Sequence, residues 1–115
     1  MVLLCPVQSW TPIGTTIQFT KITTHVLKTP LGKERFYSSQ AAFPERTSLL
    51  VRLETDTGLV GWGEGGQYGP PEPVAACIHV VLGSQVLGSE PRNPAVLWER
   101  LYSMIRDFGQ KGPLP

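Results

Sequence analysis

Hydrophobic and polar residues alternate most regularly between Leu49 and Glu64, LLVRLETDTGLVGWGE. Leu49, Val51 and Leu53 alternate with Ser48, Arg52 and Glu54, the period-2 pattern of a strand with one buried face. Thr55-Asp56-Thr57-Gly58 interrupts it. Asp can hydrogen-bond nearby backbone and Gly accepts a positive φ, so a tight turn is expected there. Leu59–Glu64 then reads as the returning strand, with Val60 and Trp62 on one face and Gly61 and Gly63 on the other. A face made of glycine marks close approach of another group.

Upstream, Thr16–Leu27 is rich in Thr, Ile, Val and Phe, as strands are. Its alternation slips between Phe19 and Ile22, which predicts either a bulge or a later true start of the strand near Lys21. Thr29-Pro30-Leu31-Gly32 ends this strand, and the segment to Arg46 (KERFYSSQAAFPER) has no period, so it reads as a long loop. Gly65–Pro71 (GGQYGPP) reads as a second loop. Downstream, Val74, Cys77, Ile78, Val81 and Leu82 form one apolar stripe at helical spacing, with Pro73 in the first turn and Gly83 as the stop. Asn93-Pro94 is an N-cap followed by proline at N1. It opens a second helix with Leu97, Leu101, Met104, Ile105 and Phe108 on its inner face, and Trp98 and Tyr102 reading as a sideways extension of that core. The pattern predicts an α+β fold: a three-stranded antiparallel meander followed by a small helical layer.

Composition narrows the function classes. The 115 residues carry 10 basic and 9 acidic side chains, a net charge of +1 without like-charged runs. Nucleic acid and anionic membrane are therefore poor partners. No stretch approaches the roughly 20 apolar residues of a membrane span. Met1–Pro6 is apolar but short and lacks a basic flank, so a secretory signal is not expected and a cytoplasmic location is. Cys5 and Cys77 read as reduced thiols, Cys77 as a core thiol on its stripe. Two Cys and the scattered His25 and His79 lack metal-ligand spacing. His25 reads as a half-exposed strand residue, and His79, off the stripe, as solvated.

Several segments, in order, resemble the N-terminal capping domain of the mandelate racemase and muconate lactonizing enzyme group of the enolase superfamily. They are Lys21-Ile22-Thr23-Thr24-His25-Val26, the Thr55–Glu64 stretch TDTGLVGWGE, Gly88-Ser89-Glu90-Pro91, and Leu97-Trp98-Glu99-Arg100-Leu101-Tyr102 running into Arg106-Asp107-Phe108-Gly109-Gln110-Lys111-Gly112. The last stretch is most similar to the branch containing galactarolactone cycloisomerases and sugar-acid dehydratases. Residues 1–15, with Pro6, Pro12 and Gly14 and no period, lie beyond the resemblance and read as a disordered extension; the resemblance implies a capping domain over 16–112 and a tail over 113–115. It also implies that the two loops face substrate. Lys33, Arg35, Tyr37 and Arg46 in and beside the first, and Glu64 and Tyr68 at the second, are the candidate substrate-binding residues. Arg and Lys suit a carboxylate. For Glu64, a strand-end carboxylate holding loop amides or an interdomain partner is the stronger expectation.

In the complete family enzyme, the resemblance implies α-proton abstraction from a small-molecule carboxylate, with Mg²⁺ held by three carboxylates of a C-terminal (β/α) barrel. Such a barrel takes roughly 200 residues or more. This chain offers no Lys-x-Lys on a strand, no spaced acidic set and no His-Asp pair, so no catalytic residue and no metal ligand is assigned. The expectation is a lid fragment without its barrel, inactive alone and needing no cofactor itself. Its apolar patch around Val60, Trp62 and the helix ends would favour self-association. The alternative is a free-standing binding or regulatory module that pairs with a barrel in trans.

Overall fold

The computed structural model describes residues 2–4, 14, 16–65 and 69–108. The meander is formed by β2 (Phe19–Pro30), β5 (Glu45–Thr55) and β6 (Val60–Gly65). A short β1 (Val2–Leu4) joins the outer edge, so the antiparallel sheet runs β1-β6-β5-β2. The sequence pattern assigned Val2–Leu4 to a disordered extension; their backbone instead pairs with Trp62–Glu64. Three residues are too few to show a period. The rest of that extension lies outside the described residues, except Gly14, as do Cys5 and the tail.

The register explains the alternation. Leu49, Val51 and Leu53 lie opposite Val26, Thr24 and Ile22 on one side, and opposite Gly65, Gly63 and Gly61 on the other. These residues share one face of the sheet, because directly opposed side chains point the same way. Leu49 and Val51 are buried with Ile78, and Ile22, Val74, Ala75 and Leu82 pack around them. The glycine face of β6 therefore lies on the helix side, and Gly63 is buried. The expected irregularity near Phe19 is a register shift between Phe19 and Lys21. The Thr55–Leu59 turn is closed by Thr55 and Leu59 backbone bonding at 3.0 Å, with Gly58 at φ +83°. Asp56 makes no local bond of the kind anticipated. Its Oδ1 accepts from the Gln18 N–H at 3.1 Å, fastening the start of β2.

The helical layer starts where expected but stops later. α1 (Glu72–Cys77) passes through a π-helical segment, Ile78–Leu82, into α2 (Gly83–Val86). Gly83 is thus inside the helical run, at φ −56°, with its N–H donated five residues back to Ile78. A Cβ at this position would stand 3.3 Å from the Ile78 carbonyl oxygen and 3.7 Å from Ile22 Cδ1. The glycine serves close approach of helix and sheet. The run ends at Leu87, where the backbone becomes extended, and Gly88 takes φ +82°. Gly88 and Ser89 then bond to the backbone of Phe19 at 2.8 and 3.0 Å, closing the helical layer onto the beginning of β2.

α3 (Pro94–Ile105) is capped by Asn93, whose side chain accepts from the Val96 N–H at 3.3 Å, and it runs into a 3-10 turn, Arg106–Phe108. Here the core expected from sequence is wrong in part. Of the residues of α3, Ile105 is buried, whereas Trp98 is 59% exposed and Tyr102 40%; in the 3-10 turn, Phe108 is 64% exposed. Helical spacing identifies an apolar face but not what covers it. Cys77, expected in the core, is half-buried. His79 is exposed as expected, yet it is engaged: its Nε2 lies 2.9 Å from Thr24 Oγ1 and ties the π-helical segment to β2.

Candidate functional site

Both candidate loops leave the same end of the sheet. β2 ends at Pro30, β5 begins at Glu45 and β6 ends at Gly65, with Pro30 opposite Glu45 and Gly65 opposite Leu49. The first loop is not the period-free segment its sequence suggests. The Leu31 N–H bonds to the Pro44 carbonyl at 3.0 Å, prolonging the β2–β5 ladder. β3 (Phe36–Tyr37) then pairs with β4 (Ala42–Phe43), and the Ser38 N–H reaches the Ala41 carbonyl at 2.8 Å. The Ser38 hydroxyl oxygen also accepts from the Ala41 N–H at 3.1 Å. Residues 31–44 are thus a narrow hairpin arm. Two-residue strands are too short to declare themselves by alternation.

Lys33, Arg35 and Tyr37 are exposed on this arm. Arg46 lies at its root, on β5 opposite Thr29. By register Arg46, Ser48, Leu50 and Arg52 share the sheet face away from the helices, and Glu64, opposite Leu50, is on the same face. The structure therefore groups Arg46 and Glu64 by face and by end, and Lys33, Arg35 and Tyr37 on the arm beyond them. Tyr68 lies outside the described residues. Glu64 is held: its Oε1 accepts from Ser48 Oγ at 2.5 Å. The expected partners were loop amides or another domain; the partner found is instead a hydroxyl on the neighbouring strand. The sequence reading did not single out Ser48, and the bond follows only from register.

The second loop is fastened to the first one's root. Thr47 Oγ1 donates to the Gly69 carbonyl at 3.1 Å. One turn later, the Lys28 ammonium is paired with the Glu72 carboxylate at the start of α1. Their mutual hydrogen bond raises the Lys28 pKa above its ordinary value and holds that of Glu72 below the ordinary carboxylate value. Both groups are exposed, so the pair serves as a screened surface tie between β2 and the helix.

The face away from the helices carries an aromatic and charged cluster. The His25 ring lies 5.6 Å from the Trp62 ring, and the Arg52 guanidinium lies over Trp62 at 5.8 Å from its centroid. Arg52 also pairs with Glu54, which Lys21 approaches at 3.7 Å. Trp62 remains 42% exposed and Val60 is half-buried, so the apolar surface expected here is shared with charged side chains.

A magnesium site needs several oxygen ligands within about 2.1 Å of one point. Among the described residues no three His, Cys, Asp or Glu side chains stand together. Glu54, Glu64, Glu72, Glu90 and Asp56 are each engaged by a different group, namely Arg52, Ser48, Lys28, Arg92 and the Gln18 N–H. The described residues do not fit the metal implied by the family. No helix among them is long and apolar enough to cross a membrane.

Residues 21–108 match the family model described as mandelate racemase / muconate lactonizing enzyme, N-terminal domain. The chain is 38% identical over 96 residues to the D-galactarolactone cycloisomerase of Agrobacterium fabrum, covering 84% of this chain and 24% of that protein. It is 35% identical over 66 residues to the D-galactonate dehydratase of Klebsiella pneumoniae, covering 57% of this chain and 16% of the other. In structure it is similar to a member of the enolase superfamily from Agrobacterium tumefaciens, with TM-score 0.70 and 26% identity over 85% of this chain and 30% of that one. The chain thus spans less than a third of the length of each of these relatives. It belongs to the mandelate racemase / muconate lactonizing enzyme family, matching that family's N-terminal domain.

Proposed function

We propose that this chain is the substrate-capping lid of a magnesium-dependent enolase-superfamily enzyme that acts on a sugar acid by α-proton abstraction, the catalytic barrel being a separate part. The observation that carries this reading is the convergence of the arm at 31–44 and the second loop on one end of the sheet, cross-tied by Thr47 and Gly69. A lid contributes by excluding water from the reacting carboxylate and by adding contacts that discriminate between substrates. In this reading Lys33, Arg35 and Arg46 attract the substrate carboxylate, and Tyr37 and Tyr68 offer hydroxyls to the sugar. Glu64, held by Ser48, stiffens the strand from which the second loop leaves. The metal and the proton-transferring groups belong to the barrel, and the setting is cytoplasmic.

The test is a chimera in which this chain replaces the matched N-terminal quarter of the Agrobacterium fabrum cycloisomerase. Turnover of D-galactarolactone or a related sugar acid is expected. Arg35→Met should then reduce kcat/KM about tenfold, mostly through KM, as expected for loss of one charge-assisted contact. A folded chimera without activity on any sugar acid, or one indifferent to Lys33, Arg35, Tyr37 and Arg46 substitutions together, would refute the proposal.

A further inference from the structure

The two edges of the sheet are protected in different ways. An edge strand presents unpaired N–H and C=O groups that invite pairing with another chain, and lysine, proline or a covering segment is the usual protection. β2 forms one edge, and among the described residues β5 is its one strand neighbour. Lys21 and Lys28 stand on it, on opposite faces by register, and Pro30 ends it. β6, on the other side, reads Val60-Gly61-Trp62-Gly63-Glu64-Gly65 and carries no lysine, arginine or proline. Its outer edge is covered instead: Val2–Leu4 pair with Trp62–Glu64, three of its six residues. β1 lies outside residues 21–108, the stretch that matches the family domain, so the family pattern does not account for this cover.

We propose that β1 is an edge guard, which keeps the outer edge of β6 from pairing with β6 of a second copy of this chain. Self-complementarity of the edge supplies the occupant. Two β6 strands set antiparallel about Trp62 oppose Trp62 to Trp62, Gly61 to Gly63 and Val60 to Glu64. Opposed residues share a face, so the indoles become a cross-strand aromatic pair while the two carboxylates stay apart. Room is available beside the strand, since a Cβ at Gly61 would meet nothing within 4 Å. The guard is also separable from the fold. The buried cluster of Leu49, Val51 and Ile78 lies between β5 and the helical layer and takes no residue from β1. Three residues contribute few backbone bonds, so β1 can leave without unfolding the sheet. The inference concerns the sheet alone and stands apart from the lid reading.

The test is sedimentation velocity of the full chain over a concentration series, beside the variant Leu3→Pro/Leu4→Pro. Adjacent prolines remove a donor from whichever of the two positions bonds to β6. The proline variant is expected to keep its circular dichroism spectrum and to dimerise with a dissociation constant at least tenfold lower than the unsubstituted chain. Adding Gly61→Lys to that variant places a charge on the bare edge and should restore the unsubstituted behaviour. Adding Val80→Lys instead, at a helical position 78% exposed, brings the same charge elsewhere and should not. Equal association with and without the prolines would overturn the proposal. So would association that Gly61→Lys leaves in place, or that both lysines reverse alike. Association of the unsubstituted chain that the prolines abolish would make β1 itself, exchanged between copies, the link, and would overturn the guard. A proline variant that loses its β-sheet signal would show β1 to be part of the folding core, which also contradicts it.

Discussion

Glu64 is bound to Ser48 across two strands: Ser48 Oγ donates to Glu64 Oε1 at 2.5 Å, although neither residue faces the other directly in the ladder. Glu64 lies opposite Leu50, so the bond is a diagonal on the face away from the helices. It fixes the last turn of side chains before the second loop. Ser48→Ala and Glu64→Ala should each cost about 0.5–1 kcal/mol in urea unfolding. The double variant should cost little more than either single one, because both remove the same bond. Additive losses would show that the two side chains act independently.

Gly83 is predicted to be intolerant of bulk. Its backbone is helical, so alanine would gain up to about 1 kcal/mol from propensity. Against this stands the Ile78 carbonyl oxygen at 3.3 Å from the added Cβ. Gly83→Ala should therefore fall short of that gain. Gly83→Val should lose about 1–3 kcal/mol, since its branches would meet Ile22 and the helix turn. Thermal unfolding of the two variants measures both, and a stabilised Gly83→Val would contradict the packing described.

The Lys28–Glu72 pair has a pH signature of definite sign. The Glu72 carboxyl has its pKa lowered by the hydrogen bond from Lys28, so its contribution is present above the ordinary value of 4.5 and is lost as pH falls through the lowered one. Lys28 is raised, so its contribution is complete below 10.5 and is lost as pH rises through the raised value. Lys28→Met should therefore lower the melting temperature between these limits and have no effect in strong acid. The difference should shrink in molar salt, because both groups are exposed. A variant equally destabilised at low and neutral pH would point to lost packing by the lysine stem.

The sheet was legible because its signals are local and periodic. Leu49, Val51 and Leu53 declare a half-buried strand by alternation, and Gly58 and Asn93-Pro94 mark a turn and a helix start through backbone chemistry. The unread features depend on partners distant in sequence. Gly83 resembles a helix stop until Ile22 is seen beneath it. Asp56 resembles a self-bonded turn residue until Gln18 arrives from 38 positions upstream. The arm at 31–44 has strands of two residues, below the length at which a period can show. Trp98 and Tyr102 have the spacing of core residues, but whether a stripe is covered depends on elements beyond its own helix. At the candidate site, Lys33, Arg35, Tyr37 and Arg46 were located by the resemblance, and their common end of the sheet only by register.

The central claim is that these residues cover a reaction whose chemistry is performed by another part of the enzyme. It is tested most directly by a turnover assay on the purified 115-residue chain with Mg²⁺ and a panel of sugar acids. The account predicts no dehydration, racemisation or cycloisomerisation above the buffer rate. Mg²⁺-dependent turnover by the chain alone would contradict it.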